Sequence, residues 1–294
     1  MKTAGRKIKR IGLIGNSDKQ AYARVVRQAA RLIIEGGRKV YGDAITARVA
    51  ELNGHVCENA VALSEQVDLL LVFGGDGTML RVARQIAGSR TPMLGINIGG
   101  LGFLAGVPSD HLGPALQQIW KGEFNFESRF LLQTTGKVNG KPVNLTALND
   151  VVISRGQESR LVELDVKVNG DPLTRYRCDG LIISSPTGST AYSLAAGGAV
   201  IFPTAGVLAL TPICPHTLSN RALILPMSAR IDVTVINPTP PTILSADGES
   251  VGEMLCNEVV TIRRSPRSVR LMHLTGTSFC ETLRKKLHWR GTPL

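Results

Sequence analysis

The segment Val67-Asp68-Leu69-Leu70-Leu71-Val72-Phe73-Gly74-Gly75-Asp76-Gly77-Thr78 decides the reading of this chain. Its first half is an almost unbroken apolar run, the pattern of a central parallel strand covered on both faces. After the glycines, Leu80, Ala83 and Ile86-Ala87 recur at helical spacing while Arg81, Arg84 and Gln85 fall elsewhere, which predicts a helix starting near Met79. Glycines let backbone approach a ligand without Cβ atoms, and the free N–H groups of a helix start attract anions. A carboxylate in such an electropositive turn repels phosphate unless it accepts a proton or works through a metal ion. Read as plain structure, Asp76 is instead the N-cap of the helix.

Working outward, 294 residues of which 43% are hydrophobic make a globular chain with room for two domains, and exclude a disordered one. The longest apolar runs are too short for a membrane span. The basic start Met1 to Arg10 leads into an apolar stretch too short for a secretory signal, so the expectation is a cytoplasmic protein with no membrane partner. Five cysteines, odd in number and without a Cys-x-x-Cys pair, predict neither a disulfide framework nor a zinc knuckle; they read as reduced and mostly buried. The formal charge of +11 raises the question of nucleic acid. The cations are spread along the chain, apart from Lys7-Ile8-Lys9-Arg10 and Arg284-Lys285-Lys286, and aromatics are too sparse for a stacking platform, so no nucleic-acid partner is expected. Basic surfaces also steer polyphosphate ligands, but a solvated face is the commoner meaning of such charge and the preferred reading of the two clusters.

The predicted fold class is an N-terminal α/β domain with a parallel sheet, then a β-rich, mainly antiparallel domain, with a C-terminal segment that returns to the first. Residues 1–128 alternate strand and helix: a strand over Ile8 to Gly15, helices over Asp18 to Glu35 and Ala44 to Asn53, a strand over Met93 to Ile98, and a helix over Asp110 to Lys121 with Ser109 as cap. Residues 129–266 change to β grammar. Asn139-Gly140 and Asn169-Gly170, each between β-favouring segments, predict two tight hairpins, and Pro238, Pro240 and Pro241 mark a loop. Residues 267–294 hold a short strand, Val269 to Leu274, and a helix, Ser278 to Trp289.

Three further features carry chemistry. Gly99-Gly100-Leu101-Gly102-Phe103 follows a strand without matching the Rossmann or P-loop spacings; Phe103 is a candidate for an adenine ring or for the core. Asp179 to Ser193 runs an apolar strand into small hydroxyl residues broken by Pro186 and Gly188. Exposed amides there form a nest for a nucleotide, with hydroxyls for ribose or phosphate; the alternative is a Ser/Thr-rich turn capped by Thr190. Asn149-Asp150 pairs an amide with a carboxylate, while Asp247-Gly248 reads as a hairpin turn and His216 as a structural histidine.

Taken in order, Gly74-Gly75-Asp76-Gly77, Asn149-Asp150, Asp179 to Gly198 and Asp247-Gly248 resemble the NAD kinase family over nearly the whole chain. The first motif is shared with diacylglycerol kinases, sphingosine kinases and phosphofructokinases; the middle segment is more specific. The resemblance implies transfer of the ATP γ-phosphoryl group to the adenosine ribose 2′-OH of NAD, with Mg²⁺ carried in on ATP, in a homodimer or homotetramer. It makes Asp76 the base, with Gly77 beside it. It places Asn149, Asp150, Arg160, Arg177, Asp179, Thr187, Thr190, Ala191, Tyr192, Ser193 and Ala195 on the dinucleotide, and His216 there from its own or a neighbouring subunit. Asp150 stands where many members have glutamate. Arg81, one turn into the helix, is a candidate for phosphate. The rivals are a lipid or sugar kinase sharing the first motif, and a non-catalytic nucleotide-sensing or nucleic-acid-binding protein.

Overall fold

Alternation of strand and helix in the first 128 residues builds a parallel sheet in the computed structural model, which describes residues 8–15, 20–52, 54–100, 102–156, 160–216, 221–237 and 241–289. The helix start expected at Asp18 and the loop residues Pro238 and Pro240 lie outside them. In order come β1 (Arg10–Gly15), α1 (Gln20–Glu35), β2 (Lys39–Asp43), α2 (Ala44–Ala50), β3 (His55–Cys57), α3 (Ala60–Gln66), β4 (Leu69–Phe73), α4 (Asp76–Gln85), β5 (Met93–Asn97), the two-residue β6 (Val107–Pro108) and α5 (Leu112–Lys121). Val26, Ala29, Ala30 and Ile33 recur at helical spacing on α1 and are buried, and Gly37, at φ +74°, ends the turn that follows. Every side chain of β4 is buried, as a strand covered on both faces requires.

Several boundaries differ from the sequence reading. The strand β2, the edge strand β3 and the helix α3 were not foreseen: they are short, and β3 is exposed or half-buried along its length, so it carries no apolar pattern. Helix α2 stops at Ala50 because Glu51 turns left-handed at φ 51°. Ser109 does not cap α5. It opens a single 3-10 turn, Ser109–His111, and α5 begins after it.

The second half supplies β7 (Phe124–Val138), β8 (Lys141–Ala147), β9 (Asp150–Arg155), β10 (Val162–Val168), β11 (Asp171–Cys178), β12 (Gly180–Ser184), the four-residue helix α6 (Tyr192–Ala195), β13 (Val207–Ile213), β14 (Leu223–Pro226), β15 (Ile231–Val235), β16 (Thr242–Ala246), β17 (Glu249–Met254), β18 (Val259–Leu274) and α7 (Phe279–Lys286). Both Asn-Gly pairs make tight hairpins: Asn139 and Gly140 sit at φ 51° and 72°, Asn169 and Gly170 at 54° and 91°, the left-handed pair that matches strand twist.

Two compact units result, residues 1–128 with 269–294, and residues 129–268. In the first, parallel strands run in the order β18-β5-β4-β1-β2-β3, with the carboxyl half of β18 beside β5 at Leu271 and Met93. The core joins Ile11, Leu13, Leu69, Leu71, Phe73 and Ile96 to the inner faces of α1 and α5. In the second, an antiparallel sheet of order β14-β13-β12-β9-β16-β17 packs its Val151, Ile153, Leu181, Ile183 and Leu244 against residues of β10, β15 and β18.

Candidate functional site

In the first unit the chain leaves β4 through Gly74, whose φ of +152° and crowding against the Thr78 side chain leave no place for a Cβ. Gly75 is the N-cap of α4, so the helix begins at Asp76, three residues earlier than expected, and Asp76 is not the cap. Its carboxylate turns instead to the loop after β5. The N–H groups of Phe103, Leu104 and Ala105 donate to it at 2.8, 2.9 and 3.1 Å. A carboxylate has about four lone-pair positions, so about one is left beyond these three bonds. Gly102 must lie against this carboxylate, since a Cβ there would overlap Asp76 Oδ1. Gly75 and Gly77 are different: nothing lies within 4 Å of a Cβ built on either, so the outer side of the turn is open.

The loop that holds Asp76 is itself tied by Asn97, a residue not singled out from sequence. Asn97 is buried, accepts from Gly99 N–H at 2.8 Å and donates to the Gly100 carbonyl at 2.6 Å. A polar residue ending a buried strand was the available signal. Arg81 donates to the Gly15 carbonyl at 2.9 Å, linking α4 to the end of β1. Phe103 is half-buried, tilted against Phe279 with ring centroids 6.5 Å apart, and Lys286 Nζ lies 5.7 Å from its ring.

In the second unit, Asp247 organises the start of β9. At φ 49°, followed by Gly248 at φ 80°, it makes the expected hairpin turn. Its carboxylate also accepts the N–H groups of Leu148, Asn149 and Asp150 at 2.9, 2.7 and 3.3 Å. The loop after β12 closes on the same place. Ser185 N–H donates to the Asn149 carbonyl at 2.8 Å, and Gly188 lies so close to the Asn149 backbone that no Cβ fits. Asn149, Asp150 and Thr187 are thus brought together. Arg129, also missed from sequence, is buried and donates to Thr187 Oγ1 at 3.2 Å.

The hydroxyl run divides. Ser185, Ser189 and Ser193 are buried and bond inward, to the Leu148 carbonyl, the Pro186 carbonyl and Thr211 Oγ1. Ser193 therefore supports the loop with its hydroxyl. Thr190 and Ala191 are half-buried, while Tyr192 and Ala195 are exposed, Tyr192 at 47%. The remaining predicted residues lie elsewhere. Asp179 accepts from Arg155 Nε at 2.8 Å; Arg177 pairs with Glu163 at 3.2 Å, and its carbonyl accepts His216 N–H at 2.8 Å. Asp179 precedes β12 and Thr187 follows it, so this second group stands about 17 Å away along a five-residue strand. Arg160 and His216 are exposed. The cysteine reading also needs correction: Cys178 is buried, its thiol pushed up to about 12 by burial, but Cys214 and Cys280 are exposed.

Burial, helped by the nearby Asp247 charge, raises the Asp150 carboxyl to about 7. This has a sign. Below its ordinary 3.8 both folded and unfolded chains hold the proton. From there to about 7 only the folded chain does, so stability is greatest at the acid end and is lost as pH rises through that window. Unfolding free energies of wild type and Asp150→Asn from urea titrations, compared from about pH 5 to pH 8, should diverge by on the order of 3 kcal/mol in favour of the variant at the alkaline end. Parallel curves would contradict the assignment.

A glycine turn bearing an oriented carboxylate at the carboxyl end of a parallel strand in one unit, and a capped amide-carboxylate pair in the other, define a nucleotide-dependent phosphotransferase. Comparison with known proteins agrees. Residues 11–124 match the family model described as ATP-NAD kinase N-terminal domain, and residues 148–274 the ATP-NAD kinase C-terminal domain. The chain is 39% identical to the NAD kinase of Polaromonas naphthalenivorans, over 95% of this chain and 96% of that one. It is 36% identical to that of Cupriavidus pinatubonensis, over 97% and 93%. The fold also matches a crystal structure of yeast NADH kinase complexed with NADH, with TM-score 0.87 and 23% identity over 98% of this chain and 90% of that one. An Archaeoglobus fulgidus NAD kinase in complex with ATP gives 0.74, at 23% identity over 96% and 100%. This chain belongs to the ATP-NAD kinase family.

Proposed function

We propose that this enzyme, which transfers the γ-phosphoryl group of ATP to the 2′-OH of the adenosine ribose of NAD to give NADP, uses Asp76 as its general base. The observation that carries the base assignment is the carboxylate itself. Three amides aim it, and one lone-pair position remains at the edge of an open turn. Phosphoryl transfer asks mainly for positioning and charge neutralisation. The amides of Gly75, Asp76 and Gly77 face the phosphates, Mg²⁺ arrives on ATP as part of that substrate, and Asp76 removes the proton from the attacking hydroxyl. Phe103, held against Phe279, borders the same turn, and Arg81, anchored to the Gly15 carbonyl at the end of β1, contacts phosphate from one turn into α4.

In the second unit Asn149, Asp150, Thr187, Thr190, Ala191 and Ala195 line the dinucleotide, with Tyr192 flanking a ring. The distance between Thr187 and the group of Arg177, Asp179 and His216 argues that this group, and Arg160 with it, serves the site of a neighbouring copy, in a homodimer or homotetramer. We divide the chain functionally into an α/β domain 1–128, an NAD-binding domain 129–266 and a returning tail 267–294. The family and the five unpaired thiols fit a cytoplasmic setting.

Labelled ATP offered to NAD, a sugar and a diacylglycerol tests the acceptor: label should appear on NAD. Label on the sugar or lipid alone would overturn the reading. Tyr192→Ala should raise the Kd for NAD at least about tenfold, with ATP affinity nearly unchanged by calorimetry; equal losses would remove Tyr192 from the dinucleotide.

A further inference from the structure

One cationic cluster of the sequence has no place in the phosphotransfer site. Lys9 and Arg10 meet Arg38, Lys39 and Lys121 around a cavity of about 960 Å³ within the first unit. Arg10 and Lys39 open β1 and β2, and Asp68 precedes β4, so the cavity lies at the amino ends of the parallel strands. Gly74 follows the other end of β4, five residues or about 17 Å away.

Charge does not balance there. Asp68 is the acidic side chain lining the cavity, and it is committed: Arg10 Nη2 lies 2.9 Å from it, and the N–H groups of Lys9 and Arg10 donate at 3.1 and 3.0 Å. Burial favours its neutral form, but these hydrogen bonds prevail and hold the carboxyl below its ordinary range. The carboxyl ends of α1 and α5 also face this edge, each worth about half a negative charge. Arg38 answers one of them by donating to the Gly36 carbonyl. A surplus of roughly three positive charges remains, carried by Lys9, Lys39 and Lys121, which form no ion pair among the described residues. Neutralising helix ends does not require them.

The cavity also has an aromatic wall. The Arg38 guanidinium lies 3.8 Å from the centre of the Trp120 ring, and Phe124 and buried Ile119 continue the apolar side. A guanidinium stacked on indole presents a planar, cationic second face on which a base ring can lie. Volumes of about 300–1,000 Å³ suit small organic ligands, so the shape favours a nucleotide over a macromolecule.

We propose that this cavity is a second nucleotide site, separate from the glycine turn, binding a nucleoside di- or triphosphate with its phosphates on Lys9, Lys39 and Lys121 and its base on Arg38. The chain has two tryptophans, so Trp289→Phe leaves Trp120 as the reporter beside the cavity. GTP titrated at low salt should change Trp120 emission saturably. In that background Lys9→Glu/Lys39→Glu/Lys121→Glu should raise the midpoint at least about tenfold and leave NADP formation at saturating ATP and NAD within a few-fold. Inorganic tripolyphosphate should bind several-fold more weakly than GTP. Flat emission with GTP, or an unchanged midpoint in the triple variant, would overturn the site; equal midpoints for GTP and tripolyphosphate would overturn the stacked base. Should the glutamate variant fail to fold, a salt series on the reporter decides: the GTP midpoint must rise steeply with NaCl, and a salt-independent midpoint refutes the proposal. None of these outcomes depends on whether the glycine turn phosphorylates NAD.

Discussion

Asp247→Ala is expected to destabilise the second unit by about 2–4 kcal/mol and to raise the KM for NAD at least about tenfold. One carboxylate satisfies three consecutive N–H groups, those of Leu148, Asn149 and Asp150. Alanine removes every acceptor at once, in a place where water has limited access. The left-handed φ of 49° adds a second penalty, because alanine tolerates that conformation less well than aspartate. Losing the carboxylate also lets the loop at Asn149 drift from Gly188, which packs directly on its backbone. Removing one source of the raised Asp150 carboxyl should move it downward but not to its ordinary value, since burial is the larger cause. Asp247→Asn keeps one acceptor oxygen and should fall between. A thermal melt and a KM for NAD indistinguishable from wild type would show that Asp247 does no more than turn the hairpin.

Asp76→Asn should lower kcat by about 10² to 10⁴ with NAD affinity nearly kept. The amide is close to isosteric, but it loses the charge and one acceptor oxygen. Its NH2 group then faces an N–H donor from the 103–105 loop, so the variant should also melt at a lower temperature. Gly102→Ala separates the two roles. Its Cβ would push on Asp76 Oδ1 without changing the carboxylate's chemistry. If aim matters, turnover should fall in Gly102→Ala while Asp76 is intact.

What sequence reveals here is what is local. The β4 strand and the two Asn-Gly hairpins are legible because an apolar run and a left-handed turn each need nothing beyond their own few residues. β3 and α3 are not, being too short and too exposed to show a period. The site splits in the same way. Asp76 stands out by its setting among glycines, yet its partners are backbone N–H groups 27 to 29 residues on, which no residue type announces. Asp247 is readable as a turn but not as an acceptor for amides almost a hundred residues earlier. Ser185, Ser189 and Ser193 look like ligand groups because hydroxyls are polar; folding buries them, and buried hydroxyls must find partners within the protein. Asp179 and Thr187 sit eight positions apart in sequence, and the intervening strand carries them to opposite ends of a sheet.

The chemical step itself is the most direct test of Asp76. With enzyme and MgATP in excess over NAD, rapid quenching and an NADP-specific dehydrogenase read how fast a single turnover makes NADP. Wild type should convert its bound NAD, and Asp76→Asn should do so slower by about 10² or more at full NAD occupancy. A single-turnover rate within a few-fold of wild type would contradict the account.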